Sequence, residues 1–248
     1  SFVSGHDMWT TEEFAELGVP AIFMCDGPHG LRKQDNDPDD QAGIYDSIDA
    51  VCFPTACATA SSFDKKLMYD MGVMLGKQCQ AEHVSTVLGP AINIKRSPLC
   101  GRNFEYVSED PYLTGKMAAA MVRGIQKNKV GACVKHFACN NKEINRKHCD
   151  SRVSERALRE IYLKPFEMIV KEEQPYTIMS SYNVVNGERA SECRDLITGI
   201  LREEWGYTGL VMSDWWTRGE HYKEINAGND LIARSEERRV GQEWRSRW

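Results

Sequence analysis

The chain has 248 residues, enough for one large domain or two small ones. It is 42% hydrophobic and 27% charged, with a net charge of −5, which gives no reason to expect a nucleic acid or an anionic membrane surface as partner. No apolar run approaches the roughly 18 residues of a membrane span, and no signal peptide is visible.

Apolar strand-like runs alternate with amphipathic helix-like runs, the pattern of βα units around a parallel sheet. The first strand is expected at 21–26, ending on Asp26 in a DGPHG loop signal. A helix follows over 64–83, with Ser62 and Asp64 as candidate caps. Leu67, Met71, Met74, Leu75 and Gln78 share its apolar face. The second strand covers 86–88, and a long polar loop runs to Pro111. A helix over 111–126 carries Ala118, Ala119 and Ala120 for close packing on a sheet. Strands at 132–137, 176–182 and 209–214 alternate with helices at 154–171 and 195–205, and 227–233 reads as the start of a further strand.

Five βα units without a glycine-rich phosphate loop favour a barrel over a dinucleotide fold. A closed barrel needs about eight strands, so the expected class is α/β, an incomplete (β/α)8 TIM-barrel-like fold of five to six units. Residues 1–233 are expected to form this domain. Residues 234–248 (RSEERRVGQEWRSRW) carry no helical or strand period, resemble translated adapter sequence, and are set aside as a non-native tail. The reading frame is expected to have been cut short there.

The nine cysteines are scattered without a CxxC pair and read as reduced core thiols, which points to the cytoplasm. No metal-ligand spacing is present and no cofactor is implied.

Each strand ends in polar groups. Asp26 ends the first, and Arg102, with Asn103, Glu105, Glu109 and Asp110, follows the second. Lys135 and His136 end the third, Tyr182 and Asn183 the fourth, and Asp214 and Trp215 the fifth. Taken singly, Asp26 is a turn former, His136 a core histidine and Asp214 a helix cap. Their recurrence at one end of every strand argues for a site. In a regular strand Lys135 and His136 point to opposite faces. The set suits a sugar. Asp26 accepts from paired hydroxyls, Arg102, Lys135 and His136 donate to the ring, and the indole of Trp215 packs on a pyranose face. Asp214 attacks the anomeric carbon, the cations keep it ionised by lowering its pKa, and Tyr182 donates a hydrogen bond to it.

The stretches CDGPHGLRKQ (25–34), LGPAINIKRSPLCGRNFEYVSEDPYLTGKMAA (88–119), VKHFACNNKEINR (134–146), SSYNVVNGERAS (180–191) and LREEWGYTGLVMSDWW (201–216) resemble glycoside hydrolase family 3, most closely its bacterial β-glucosidases. The resemblance implies a barrel followed by a separate α/β sandwich domain, and exo-acting hydrolysis that retains anomeric configuration. It places the nucleophile on Asp214. Substrate contacts fall on Asp26, Arg102, Lys135, His136, Arg146, Met179, Tyr182 and Trp215, Arg146 being paired with Glu143 either for positioning or as a structural ion pair. The family's general acid is usually a glutamate of the second domain. One branch uses a His-Asp pair after KHF, but ACNNKEINRKHCD lacks that branch's GHGDT pattern, so His148 and Asp150 are expected to be solvated. The expected substrate is a terminal β-glucoside, and the chain on its own is expected to be nearly inactive. The alternatives are a β-xylosidase or arabinosidase, a non-catalytic sugar-binding remnant, and a Schiff-base aldolase using Lys135.

Overall fold

The computed structural model describes residues 4–34 and 47–233, so the tail at 234–248 lies outside the described residues. In chain order the elements are a 3-10 turn Ala15–Leu17, β1 Met24–Asp26, α1 Ala56–Ala60, α2 Lys65–Ala81, β2 Thr86–Leu88, α3 Pro111–Gln126 and β3 Gly131–Phe137. Then come β4 Asp150–Ser151, α4 Glu155–Ala157 running into a π-helical turn Leu158–Tyr162, α5 Lys164–Glu173, β5 Thr177–Ser180, β6 Val184–Val185 and β7 Glu188–Arg189. After a 3-10 turn at Ala190–Glu192, a π-helical stretch Asp195–Glu204, β8 Leu210–Ser213 and α6 His221–Ala227 complete the order.

Five strands form one parallel sheet in the order β1-β2-β3-β5-β8, which is the wall of an incomplete (β/α)8-type barrel. A further strand begins where expected. Leu231 bridges Met212 in parallel, and Ser213 N–H donates to the Leu231 carbonyl at 2.8 Å. The N-terminal segment touches both edges of the sheet, because Thr10 pairs with Phe23 beside β1 while Ser4 pairs with Ile232. A separate three-stranded sheet, β4-β6-β7, sits in the loops.

Side chains alternate along each strand with a period of two. Met24, Leu88, Cys133, Met179 and Met212 point into the barrel, where Met8, Trp9, Trp215 and Leu231 fill it. Cys25, Val87, Ala132, Val134, Ile178 and Val211 point outward into the helical layer. Burial of these outward residues against α2, α3 and α5 makes up the larger core.

Of the two candidate caps for α2, Asp64 is the one used, and α3 has a cap that the sequence reading did not single out. Asp64 accepts from Lys66 N–H and Leu67 N–H, and Asp110 accepts from Leu113 N–H at 2.8 Å with Pro111 next in line. The apolar face assigned to α2 needs correcting. Met68, Met71, Gly72, Leu75, Gly76 and Cys79 are buried, whereas Leu67 and Met74 are exposed. The stripe is rotated because Gly72 and Gly124 let α2 and α3 meet backbone to backbone. A Cβ on Gly124 would collide with the Tyr69 carbonyl oxygen. The single helix expected at 154–171 is interrupted by the π-helical turn ahead of Pro165, whose ring cannot continue a regular ladder.

All nine cysteines are free thiols, six of them buried. Among the described residues no helix is long and apolar enough to cross a membrane.

Candidate active site

The strands present their carboxyl ends at one mouth. Asp26 is the last residue of β1, and the loop after β2 carries Arg102. Lys135 and His136 lie at the end of β3, Tyr182 follows β5, and Asp214 follows β8 directly. Lys135 Nζ donates to Asp26 Oδ1 at 3.0 Å. His136 Nε2 stands 3.8 Å from Asp214 Oδ2. The Arg146 guanidinium lies 4.5 Å over the ring of Tyr182. The structure therefore brings the residues singled out in sequence into one locale, with Met179 beneath them in the barrel interior.

Two details differ from expectation and a third is refined. Lys135 and His136 serve the same mouth, not opposite faces, because β3 is irregular there and its register with β5 skips His136. The Tyr182 hydroxyl donates to the carbonyl of Trp215 while also standing in hydrogen-bonding reach of the Asp214 carboxylate. Trp215 is only 7% exposed. It packs 5.6 Å from Trp9, and its indole N–H donates to the Met8 carbonyl at 2.9 Å. Trp216 is the more exposed indole at 38%.

Each cation carries a carboxylate. Lys135 pairs with Asp26, Arg102 Nε with Glu105, and Arg146 Nη1 with Glu143 at 2.8 Å. Asp214 stands apart from these pairs. Its Oδ1 accepts from Trp215 N–H at 2.7 Å, and its Oδ2 is buried with no hydrogen-bond partner. His136 Nδ1 is likewise buried and unpartnered. Unsatisfied buried polar atoms are costly, and two of them lie among the residues gathered at this mouth.

Burial pushes the Asp214 carboxyl above its ordinary value, although Arg102, the Trp215 N–H, Lys135 and Arg146 all pull the other way. The expectation that the cations leave it with a lowered pKa is thus corrected: desolvation outweighs them. For Asp26 the balance is reversed. Burial raises it, but the ammonium of Lys135 wins and the carboxyl is held low. Lys135 loses charge stability to burial and regains more from Asp26 and Glu105, so its ammonium is held up. That argues against a Schiff-base nucleophile, which needs a depressed amine. Burial, with Arg102 and Lys135 nearby, drives His136 well below its usual range and leaves a neutral imidazole.

The sequence reading missed Asn93, whose side chain clamps the backbone of His136. Its Nδ2 donates to the His136 carbonyl, and its Oδ1 accepts from His136 N–H, each at 2.9 Å. An asparagine inside the apolar run PAINI was the available signal. His148 is exposed and bonds Arg218 at 2.9 Å, and Asp150 is engaged by Gly187 N–H and Arg152. Among the described residues no group of three or more His, Cys, Asp or Glu could hold a metal.

The pattern of the glycosyl hydrolase family 3 N terminal domain matches residues 13–233. The chain belongs to this family. It is 51% identical over 228 residues to thermostable beta-glucosidase B of Acetivibrio thermocellus, covering 92% of this chain and 30% of the relative. It is 46% identical to exo-alpha-(1->6)-L-arabinopyranosidase of Bifidobacterium longum, covering 93% and 30%. The structure of beta-glucosidase 3B from Thermotoga neapolitana in complex with alpha-D-glucose superposes with a TM-score of 0.89 at 40% identity, covering 98% of this chain and 35% of that one. The chain thus spans about 30% of the length of the curated relatives it matches.

Proposed function

We propose that residues 1–233 are the barrel domain of an exo-acting, retaining glycosidase that releases terminal β-D-glucose from β-glucosides. Asp214 is the nucleophile in this reading. Asp26, Lys135, Arg102, His136 and Arg146 bind ring hydroxyls, Met179 and Trp215 shape the pocket, and Tyr182 orients the nucleophile's loop. The unpartnered Oδ2 of Asp214, ringed by three cations that already carry counter-ions, is the observation that carries the reading. In double displacement that oxygen bonds the anomeric carbon, the aglycone leaves with its electron pair, and water then releases the sugar. The proton for the leaving group comes from a carboxylic acid ~5 Å from the nucleophile, supplied by a second, α/β sandwich domain of a longer chain. The nine free thiols favour a cytoplasmic enzyme.

The test is covalent trapping. A 2-deoxy-2-fluoro-β-glucoside with a dinitrophenolate leaving group should label the chain once, on the peptide carrying Asp214, and Asp214→Asn should abolish the label. Labelling on another carboxylate would overturn the assignment. The named activity of the Bifidobacterium relative favours one second reading, a pentopyranosidase. Comparing kcat/KM for aryl β-D-glucopyranoside and aryl α-L-arabinopyranoside separates the two.

A further inference from the structure

Arg102 and Glu105 are residues i and i+3 of a tight turn in which Glu105 N–H donates to the Arg102 carbonyl at 3.1 Å and Tyr106 N–H to the same oxygen at 3.3 Å. The turn folds the carboxylate back onto the guanidinium, where Oε1 takes the Nε hydrogen. Glu105 keeps only 5% of its side-chain surface and Arg102 19%. Among the described residues the two terminal nitrogens of Arg102 donate to no protein acceptor. A guanidinium is a rigid fork, so fixing Nε fixes the direction of the terminal nitrogens. Those nitrogens carry the cation that acts most strongly on Asp214.

We propose that Glu105 is a positioning residue: it holds Arg102 by Nε so that the terminal nitrogens face the sugar pocket, and it offsets part of the Arg102 charge felt by Asp214. This rests on the sugar-site reading above. Asp214 is faced by Arg102 from the loop after β2, by Lys135 and His136 from β3, by Arg146 from the loop after β3 and by Tyr182 from the segment after β5. Within that ring Glu105 lies in electrostatic reach of Lys135 and His29, but Arg102 is the group it bonds directly.

The experiment is a double-mutant cycle on the full chain with Glu105→Gln, Arg102→Leu and the pair, checked for folding by circular dichroism. Two readouts are needed, the glucose dissociation constant by calorimetry and the ionisation midpoint of Asp214 by carboxyl-carbon NMR. Glu105→Gln should weaken glucose binding about tenfold, the scale of one lost charge-assisted contact. It should also move the Asp214 midpoint to lower pH, because Arg102 loses its counter-ion. Both effects should disappear in the Arg102→Leu background, and Glu105→Asp should restore part of each. An unmoved midpoint, or an equal effect with and without Arg102, overturns the proposal. If the unmodified chain binds no glucose, the sugar-site reading fails, and the Asp214 midpoint still decides the role of Glu105. If Glu105→Gln does not fold, the Arg102 Nε–H resonance of the unmodified chain decides. A slowly exchanging signal supports the clamp, and a solvent-averaged one overturns it.

Discussion

Asp214 is a carboxylate in a place that disfavours its charge. Burial raises its pKa above that of the unfolded chain, so between the two values the folded state holds a proton that the unfolded state has released. Stability attributable to this group therefore falls as pH rises through that interval. At neutral pH the ionised side chain is a net cost to the fold. Asp214→Asn should accordingly be more stable than the native chain at neutral pH, with the difference vanishing below the ordinary carboxylate range near 3.8. Thermal melts across pH read this directly, each kcal/mol moving Tm by roughly 2–4 °C in a domain of this size. A variant less stable at neutral pH would show that the cations outweigh burial. Lys135 has the opposite character. Its 5%-exposed ammonium is matched to Asp26, and the lowered Asp26 carboxyl adds stability that is present above its unfolded pKa and lost as pH falls through its folded value. Lys135→Ala should cost about 3 kcal/mol in urea denaturation, the low end for breaking a buried pair, because Asp26 keeps a third of its side chain in water. The loss should shrink at acid pH, where Asp26 is protonated in either form.

At the scale of elements, the contact between α2 and α3 is set by absent side chains. Gly72 and Gly124 allow backbone-to-backbone approach, and Gly115 meets the Met168 side chain of α5 in the same layer. Gly124→Ala should push α2 and α3 apart at a cost of about 1–3 kcal/mol, despite the better helix propensity of alanine. Gly199→Ala, in the Asp195–Glu204 stretch, has no neighbour closer than 3.9 Å to its added methyl and should be neutral or better. Chemical denaturation of the two variants distinguishes steric packing from propensity. The same contact explains what could be read from sequence. Asp64 was legible because capping depends on neighbouring residues only. The buried face of α2 was not, because periodicity assigns a stripe from large apolar residues, while here glycines decide which side faces α3. The irregular end of β3, which brings Lys135 and His136 to one mouth, was hidden for a similar reason. Its cause is register against β5, a non-local quantity.

At the scale of the whole molecule, the parallel sheet puts all its strand ends, with the polar residues that follow them, at one end of the barrel, and that much followed from the order of apolar runs. The filling of the barrel did not. Met8 and Trp9, more than 200 residues away in sequence from Trp215, pack against it and receive its indole hydrogen bond, a pairing no local pattern announces. Within the described residues the nearby carboxylates are already committed. Asp26 is tied to Lys135, Glu105 to Arg102 and Glu143 to Arg146. Asp26, held low by the Lys135 ammonium, is poorly suited to giving up a proton at neutral pH. If the general acid resides elsewhere in a longer chain, glycosylation by this one must depend on the leaving group's own basicity. A series of aryl β-glucosides should then give a steep fall of log kcat/KM with leaving-group pKa. Alkyl glucosides should be further depressed by the 10²–10⁴-fold that general acid catalysis supplies. External azide should intercept the glycosyl-enzyme, since its attack needs no base. A shallow slope, with alkyl glucosides turned over readily, would instead place the acid among the residues of this chain.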